Sequence, residues 1–142
     1  MNKPSSLLIV VGSKSDIVFL AEAKRLLRKS DINFEVAVIS SHRNVKGLIT
    51  RLDPMRLRKE RVVVILAVAH SVANLPAIIA GYLRDAPIHV IGVGRVEKDA
   101  DTIESLLSVI SIPKGVPLLN AGIGNAGLYN AILAVIKILK AK

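Results

Sequence analysis

Five short runs rich in Val, Ile and Leu punctuate the chain, at residues 7–11, 34–39, 62–67, 89–93 and 116–119. None alternates with polar residues, so the pattern predicts strands buried on both faces of a parallel sheet. Helix-like segments fill the gaps, at 17–30, 45–52, 75–83, 102–110 and 126–140. Asp53-Pro54 is expected to stop the second helix, because proline cannot donate to the ladder and constrains the residue before it. The last helix is apolar almost all round between Leu128 and Leu139. A helix of that kind is buried, which in a small domain suggests packing against a second subunit and hence an oligomer.

Alternating strands and helices predict an α/β fold, a doubly wound sheet whose ligands bind outside the carboxyl ends of the strands. At 142 residues there is room for one domain, residues 1–142, with no linker or repeat marking a second. Cys is absent, which excludes disulfides and thiolate metal sites and fits a cytoplasmic protein. The apolar run behind the N-terminus is too short for a signal peptide, and no stretch reaches membrane-spanning length, so no membrane association is expected. The net charge of +9 invites nucleic acid as a partner. Against that stand only four scattered aromatic residues, Phe19, Phe34, Tyr82 and Tyr129, which make no stacking platform. The basic residues of 51–61 and 137–142 read as solvated surface.

The chemistry-bearing residues fall where such a sheet would place a ligand. Behind the first run come Gly12-Ser13-Lys14-Ser15-Asp16. Gly12 is expected to turn the chain, Ser13, Ser15 and Asp16 to cap a helix, and the free N–H groups there suit a phosphate as well as an ordinary cap. Behind the second run come Ser40, Ser41, His42 and Arg43. Serines and arginine suit a phosphate or carboxylate, and the histidine between them is placed to move a proton. Behind the third, Ala69, His70, Ser71, Asn74 and Leu75 offer small residues for a close ligand approach and polar groups for contact. His89 opens the fourth run, at the wrong end for a ligand, and reads as structural.

Gly122-Ile123-Gly124-Asn125-Ala126-Gly127 is a literal G-x-G-x-x-G between a strand and a helix. The dinucleotide fingerprint requires a further strand and an acidic residue about 20 positions on. The sequence supplies neither, so tight turning and close helix packing explain these glycines. An aspartate acceptor of the receiver-domain kind is also missing, since Leu66-Ala67-Val68 stand where it would lie.

As an ordered set these segments, with Ser105-Leu106-Leu107-Ser108, Ile112-Pro113-Lys114-Gly115-Val116-Pro117 and Asn130, resemble the N5-carboxyaminoimidazole ribonucleotide mutase and aminoimidazole ribonucleotide carboxylase family. The resemblance implies a flavodoxin-like three-layer sandwich, an octamer of identical chains, and no metal or organic cofactor. By the same resemblance Ser13, Ser40 and Arg43 hold a ribose 5-phosphate, Asp16 the ribose hydroxyls, and His42 acts as acid and base. The implied partners are a ribonucleotide and carbon dioxide, with Gly12, Ala69, His70, Ser71, Asn74 and Leu75 completing the pocket.

The departures concentrate in the third loop. His70-Ser71 replace a family Gly-Gly pair, Asn74 the histidine before Leu-Pro, and Ala77 the closing glycine, while Val45 stands for a proline. A longer C-terminal tail reaching a neighbouring subunit is expected to be missing. His70 could take over from the lost histidine one helical turn earlier. The alternative function is a diverged paralogue that binds a nucleotide or ribose phosphate without this reaction, or carboxylates another heteroaromatic nucleotide.

Overall fold

The computed structural model describes residues 6–71 and 74–141. Five strands carry the sheet: β1 (Leu7–Val11), β2 (Phe34–Val38), β3 (Val64–His70), β4 (His89–Arg95) and β5 (Leu118–Ile123). All pair in parallel in the order β2-β1-β3-β4-β5, the flavodoxin-like arrangement. The order reverses between β1 and β3, which makes their carboxyl ends the natural ligand crevice.

The helices α1 (Ala21–Lys29), α2 (Val45–Arg56), α3 (Leu75–Tyr82), α4 (Thr102–Ile110) and α5 (Gly124–Lys140) cover both faces. Successive residues of β1 point to opposite faces, and all five are fully buried. Leu7, Ile9 and Val11 join Leu27 of α1 and Ile132 of α5 in one core layer. Leu8 and Val10 join Leu48 and Leu52 of α2 and Ile79 of α3 in the other. Continuous apolar runs are therefore the correct signature of the central strands β1, β3 and β4, whereas the edge strands β2 and β5 contain no fully buried residue and depart from the expected burial on both faces. No helix among the described residues is long and apolar enough to cross a membrane.

Several details differ from the sequence expectation, and one is that β5 spans Leu118–Ile123 rather than 116–119. The first helix begins only at Ala21, after two 3-10 turns at Lys14–Asp16 and Val18–Leu20. The second helix does not stop at Asp53-Pro54 but runs through Pro54 to Arg56. Pro54 lies in the last turn, where little beyond its own missing donor is lost, and buried Leu52 and Met55 on either side hold the segment on the sheet. The chain then ends the helix with Lys59 N–H on Pro54 O at 2.7 Å, Arg58 N–H on Met55 O at 3.0 Å, and Arg58 itself at φ 57°. Strands β3 and β4 run three and two residues further than read, to His70 and Arg95. Finally, much of the apolar girth of α5 is used within its own chain, where Leu128, Ala131, Ile132 and Val135 are buried. Tyr129 and Leu133 on that helix stay exposed.

The glycine-rich segment behaves as a packing device. Gly122 and Gly124 adopt φ of 125° and 63°, where side chains are disfavoured. A Cβ on Gly127 would stand 2.2 Å from the carbonyl carbon of Gly122, so α5 meets the end of β5 through bare backbone.

Candidate active site

The loop behind β1 is organised by one carboxylate. Ser13 N–H donates to Asp16 Oδ2 at 3.0 Å, while Ser13 Oγ accepts from Ser15 N–H at 3.3 Å, closing a capping box around the first 3-10 turn. Asp16 is only 2% exposed, and its other oxygen, Oδ1, receives Arg95 Nη1 at 2.8 Å. The same guanidinium nitrogen donates to the Ser15 carbonyl at 3.1 Å. Each oxygen of Asp16 thus has one protein partner, which leaves acceptor capacity for a ligand hydroxyl. Gly12 does not take a left-handed conformation, and a Cβ there would lie an ordinary 4.0 Å from Leu75. Its expected role as the turning residue is therefore corrected: the turn is made by the serine and aspartate cap.

The loop behind β2 is a tight turn into α2. Ser40 Oγ accepts from the Arg43 N–H at 3.1 Å, and Asn44 caps α2 by accepting from Gly47 N–H at 3.0 Å. Ser41 is buried, whereas His42 and Arg43 are exposed at the rim. The imidazole and guanidinium are thereby presented to whatever enters the crevice.

The loop behind β3 departs most from bare backbone. His70 pairs in register with Arg95 across the β3–β4 ladder. Its Nε2 lies 3.0 Å from Asp101 Oδ2 and 3.7 Å from Glu97 Oε2, and Glu97 also pairs with Arg95. The hydrogen bond from His70 holds the Asp101 carboxyl below its ordinary range, helped by the Lys98 backbone N–H against the cost of burial. Ser71 sits at φ 58°, donates to Glu104 Oε2 at 2.7 Å, and accepts at its carbonyl from Ser108 Oγ at 3.3 Å. A charged chain therefore runs from Asp16 through Arg95, Glu97 and His70 to Asp101.

These three loops enclose a cavity of about 400 Å³ lined by Gly12, Ser13, Ser15, Asp16, Ser40, Ser41, His42, Arg43, Ala69, His70, Ser71 and Leu75. It stands at the β1/β3 reversal, where the fold places a ligand. Asn74 is the one candidate residue the structure sets apart. It precedes α3 and lines a neighbouring, more apolar cavity with Ala77, Glu104, Leu107, Ser108, Ser111, Ile112 and Pro113. Val72 and Ala73 of the third loop lie outside the described residues. His89 opens β4 at its amino end, exposed and away from the cavity.

With the site in view, comparison with known proteins settles the family. The AIR carboxylase family model matches residues 6–142. The chain belongs to that family. An N5-carboxyaminoimidazole ribonucleotide mutase of Saccharolobus solfataricus is 35% identical over 134 residues, covering 94% of this chain and 80% of the relative. One of Mycobacterium tuberculosis is 37% identical over 134 residues, covering 94% of this chain and 72% of the relative. The crystal structure of Treponema denticola PurE superposes with a TM-score of 0.77 at 18% identity, over 98% of this chain and 83% of that one, which shows a shared fold.

Within the AIR carboxylase family fold, the sequence reading missed Arg95, Glu97, Asp101 and Glu104 as parts of the site. The apolar run 89–93 stops short of Arg95, which the structure places at the end of β4. A usable signal was present: a lone arginine two residues past an apolar run of a parallel sheet stands at the ligand end.

Proposed function

We propose that the protein converts N5-carboxyaminoimidazole ribonucleotide to 4-carboxyaminoimidazole ribonucleotide in purine biosynthesis. Family membership and the mutase relatives support this reading. The observation that carries it is the gathering of Ser13, Ser40, His42 and Arg43 on one cavity of about 400 Å³ at the switch point of the sheet. Ser13, Ser40 and Arg43 take the 5-phosphate through hydroxyl and guanidinium donors. Asp16, fixed by Ser13 N–H and Arg95, accepts from the ribose hydroxyls. Gly12, Ala69 and Leu75 give the ring and carbon dioxide a close-fitting, water-poor wall.

His42 carries the proton in both halves of the reaction. The imidazolium gives its proton to the exocyclic nitrogen as the N–C bond breaks and carbon dioxide leaves. The ring carbon then forms a C–C bond to carbon dioxide, and the neutral imidazole removes the proton from that carbon. One histidine serves because giving and taking follow one another, and the proton balance closes without a cofactor.

A homo-oligomer belongs to the same proposal, an octamer by family resemblance, acting in the cytoplasm. It is supported by apolar side chains left in water on one chain: Val18 is 81% exposed, Ile103 69% and Ile110 51%. One observation favours a second reading, a ribonucleotide with a different heterocycle: the side chains of His70 and Ser71 enter the wall where the family pattern has glycines. The deciding experiment supplies N5-carboxyaminoimidazole ribonucleotide and follows the ultraviolet absorbance of the 4-carboxy product. Conversion supports the mutase reading, and a folded protein that gives none over several pH values overturns it.

A further inference from the structure

The third loop is not simply a family loop with two glycines lost. Both introduced side chains have partners on the facing stretch that runs from the end of β4 into α4. His70 meets Asp101 and Glu97, and Ser71 meets Glu104. These acids come from the segment that follows β4, the strand paired with β3. An ionised Asp101 can only accept, so the 3.0 Å contact makes His70 Nε2 the donor and leaves Nδ1 as the ring's remaining polar atom. That is the way a carboxylate fixes the tautomer and orientation of a working imidazole.

His70 also has a definite place along the crevice. The ends of β2, β1 and β3 lie in a row, with neighbouring strands about 4.8 Å apart. His70 therefore stands two strands, about 10 Å, from the Ser40–Arg43 loop. With the phosphate on Ser13, Ser40 and Arg43 and the ring within reach of His42, a substituent on the far edge of the ring lies toward β3.

We infer that His70, braced by Asp101 and Glu97, is a specificity-determining residue that donates a hydrogen bond to a carboxylate on the ligand's heterocycle. This rests on the ribonucleotide reading of the site and adds the group that reads the carboxyl end. With Nε2–H committed to Asp101, Nδ1 donates to the ligand carboxylate only when the ring carries its second proton, so the contact belongs to the imidazolium form. The charged groups around it are Asp101 and Glu97 beside the ring, Arg95 behind Glu97, Glu104 on α4, and Asp16, His42 and Arg43 across the cavity.

The test compares two probes by calorimetry at about pH 6, on the acid side of the ordinary imidazole value of about 6.5. They are 4-carboxyaminoimidazole ribonucleotide and aminoimidazole ribonucleotide, which lacks the carboxylate. Both are titrated into His42→Asn protein, so that the carboxylated probe is not turned over. Adding His70→Gly should weaken the carboxylated probe about tenfold and leave the other unchanged, the size of one charge-assisted hydrogen bond. Asp101→Asn should shift the ratio the same way by less, His70→Gln should restore part of it through its amide donor, and the preference should shrink at about pH 8.5. Equal weakening of both probes, or none, overturns the inference while the ribonucleotide reading stands. Failure of both probes to bind the His42→Asn protein overturns that reading and this inference together.

Discussion

Asp16 and Arg95, 79 positions apart in sequence, meet at 2.8 Å beneath the cavity with side chains only 3% and 13% exposed. The pair joins the loop behind β1 to the end of β4, across the intervening strand β3. It fixes the carboxylate proposed to meet the ribose, so the geometry of the ligand site depends on a residue outside the cavity lining.

Replacing Arg95 by Met should therefore cost about 3 kcal/mol, because it strands a buried carboxylate with only a backbone donor. Denaturant unfolding of the single variant and of Arg95→Met/Asp16→Asn checks the cause. The double variant should recover part of the loss, since the stranded charge is then gone. Strict additivity would mean that the pair does not interact.

Asp101 predicts a feature of acid unfolding. Its folded-state pKa is lowered, chiefly by the hydrogen bond from His70. Its contribution is thus fully present above about pH 4, where an unfolded aspartate is ionised, and is lost as pH falls through the lower folded value. Melting temperatures measured between about pH 5 and pH 2 should fall less steeply in Asp101→Asn than in the parent protein. Superimposable profiles would contradict the His70–Asp101 contact.

Arg58 ends α2 in a left-handed conformation, at φ 57°, with the closing hydrogen bonds that usually surround a glycine. Arg58→Gly should raise stability by about 0.5–1 kcal/mol, since glycine reaches that conformation without steric cost. The site lies at the opposite end of the sheet from the proposed active cavity, so turnover should not change. Thermal unfolding together with an activity assay tests both halves.

The central strands β1, β3 and β4 are readable because burial on both faces leaves a continuous apolar run, whereas edge strand β2 carries the exposed Glu35 within its run and β5 extends to Ile123, beyond the run at 116–119. The helix ends were less readable. Pro54 is a local stop signal overridden by the burial of Leu52 and Met55, and the capping box at Ser13 and Asp16 makes a 3-10 turn before α1 can start. Among the candidate site residues, Gly12, Ser13, Asp16, Ser40, His42, Arg43, Ala69, His70, Ser71 and Leu75 converge on one cavity because strand-end position alone brings them together. Their partners were not readable. Arg95, Asp101 and Glu104 reach the site through the β3–β4 register and the approach of α4, and neither relation is carried by a local pattern.

His42 is proposed to move the proton at a ribonucleotide held by the three loops. His42 is exposed at the rim, so His42→Asn should leave the melting temperature nearly unchanged. The measurement is the rate of 4-carboxyaminoimidazole ribonucleotide formation by the parent protein and by His42→Asn, with nucleotide binding measured on the same samples. The expected result is turnover in the parent and a loss of about 100-fold to 10,000-fold in the variant, with binding largely kept. A variant that turns over at the parent rate would contradict it.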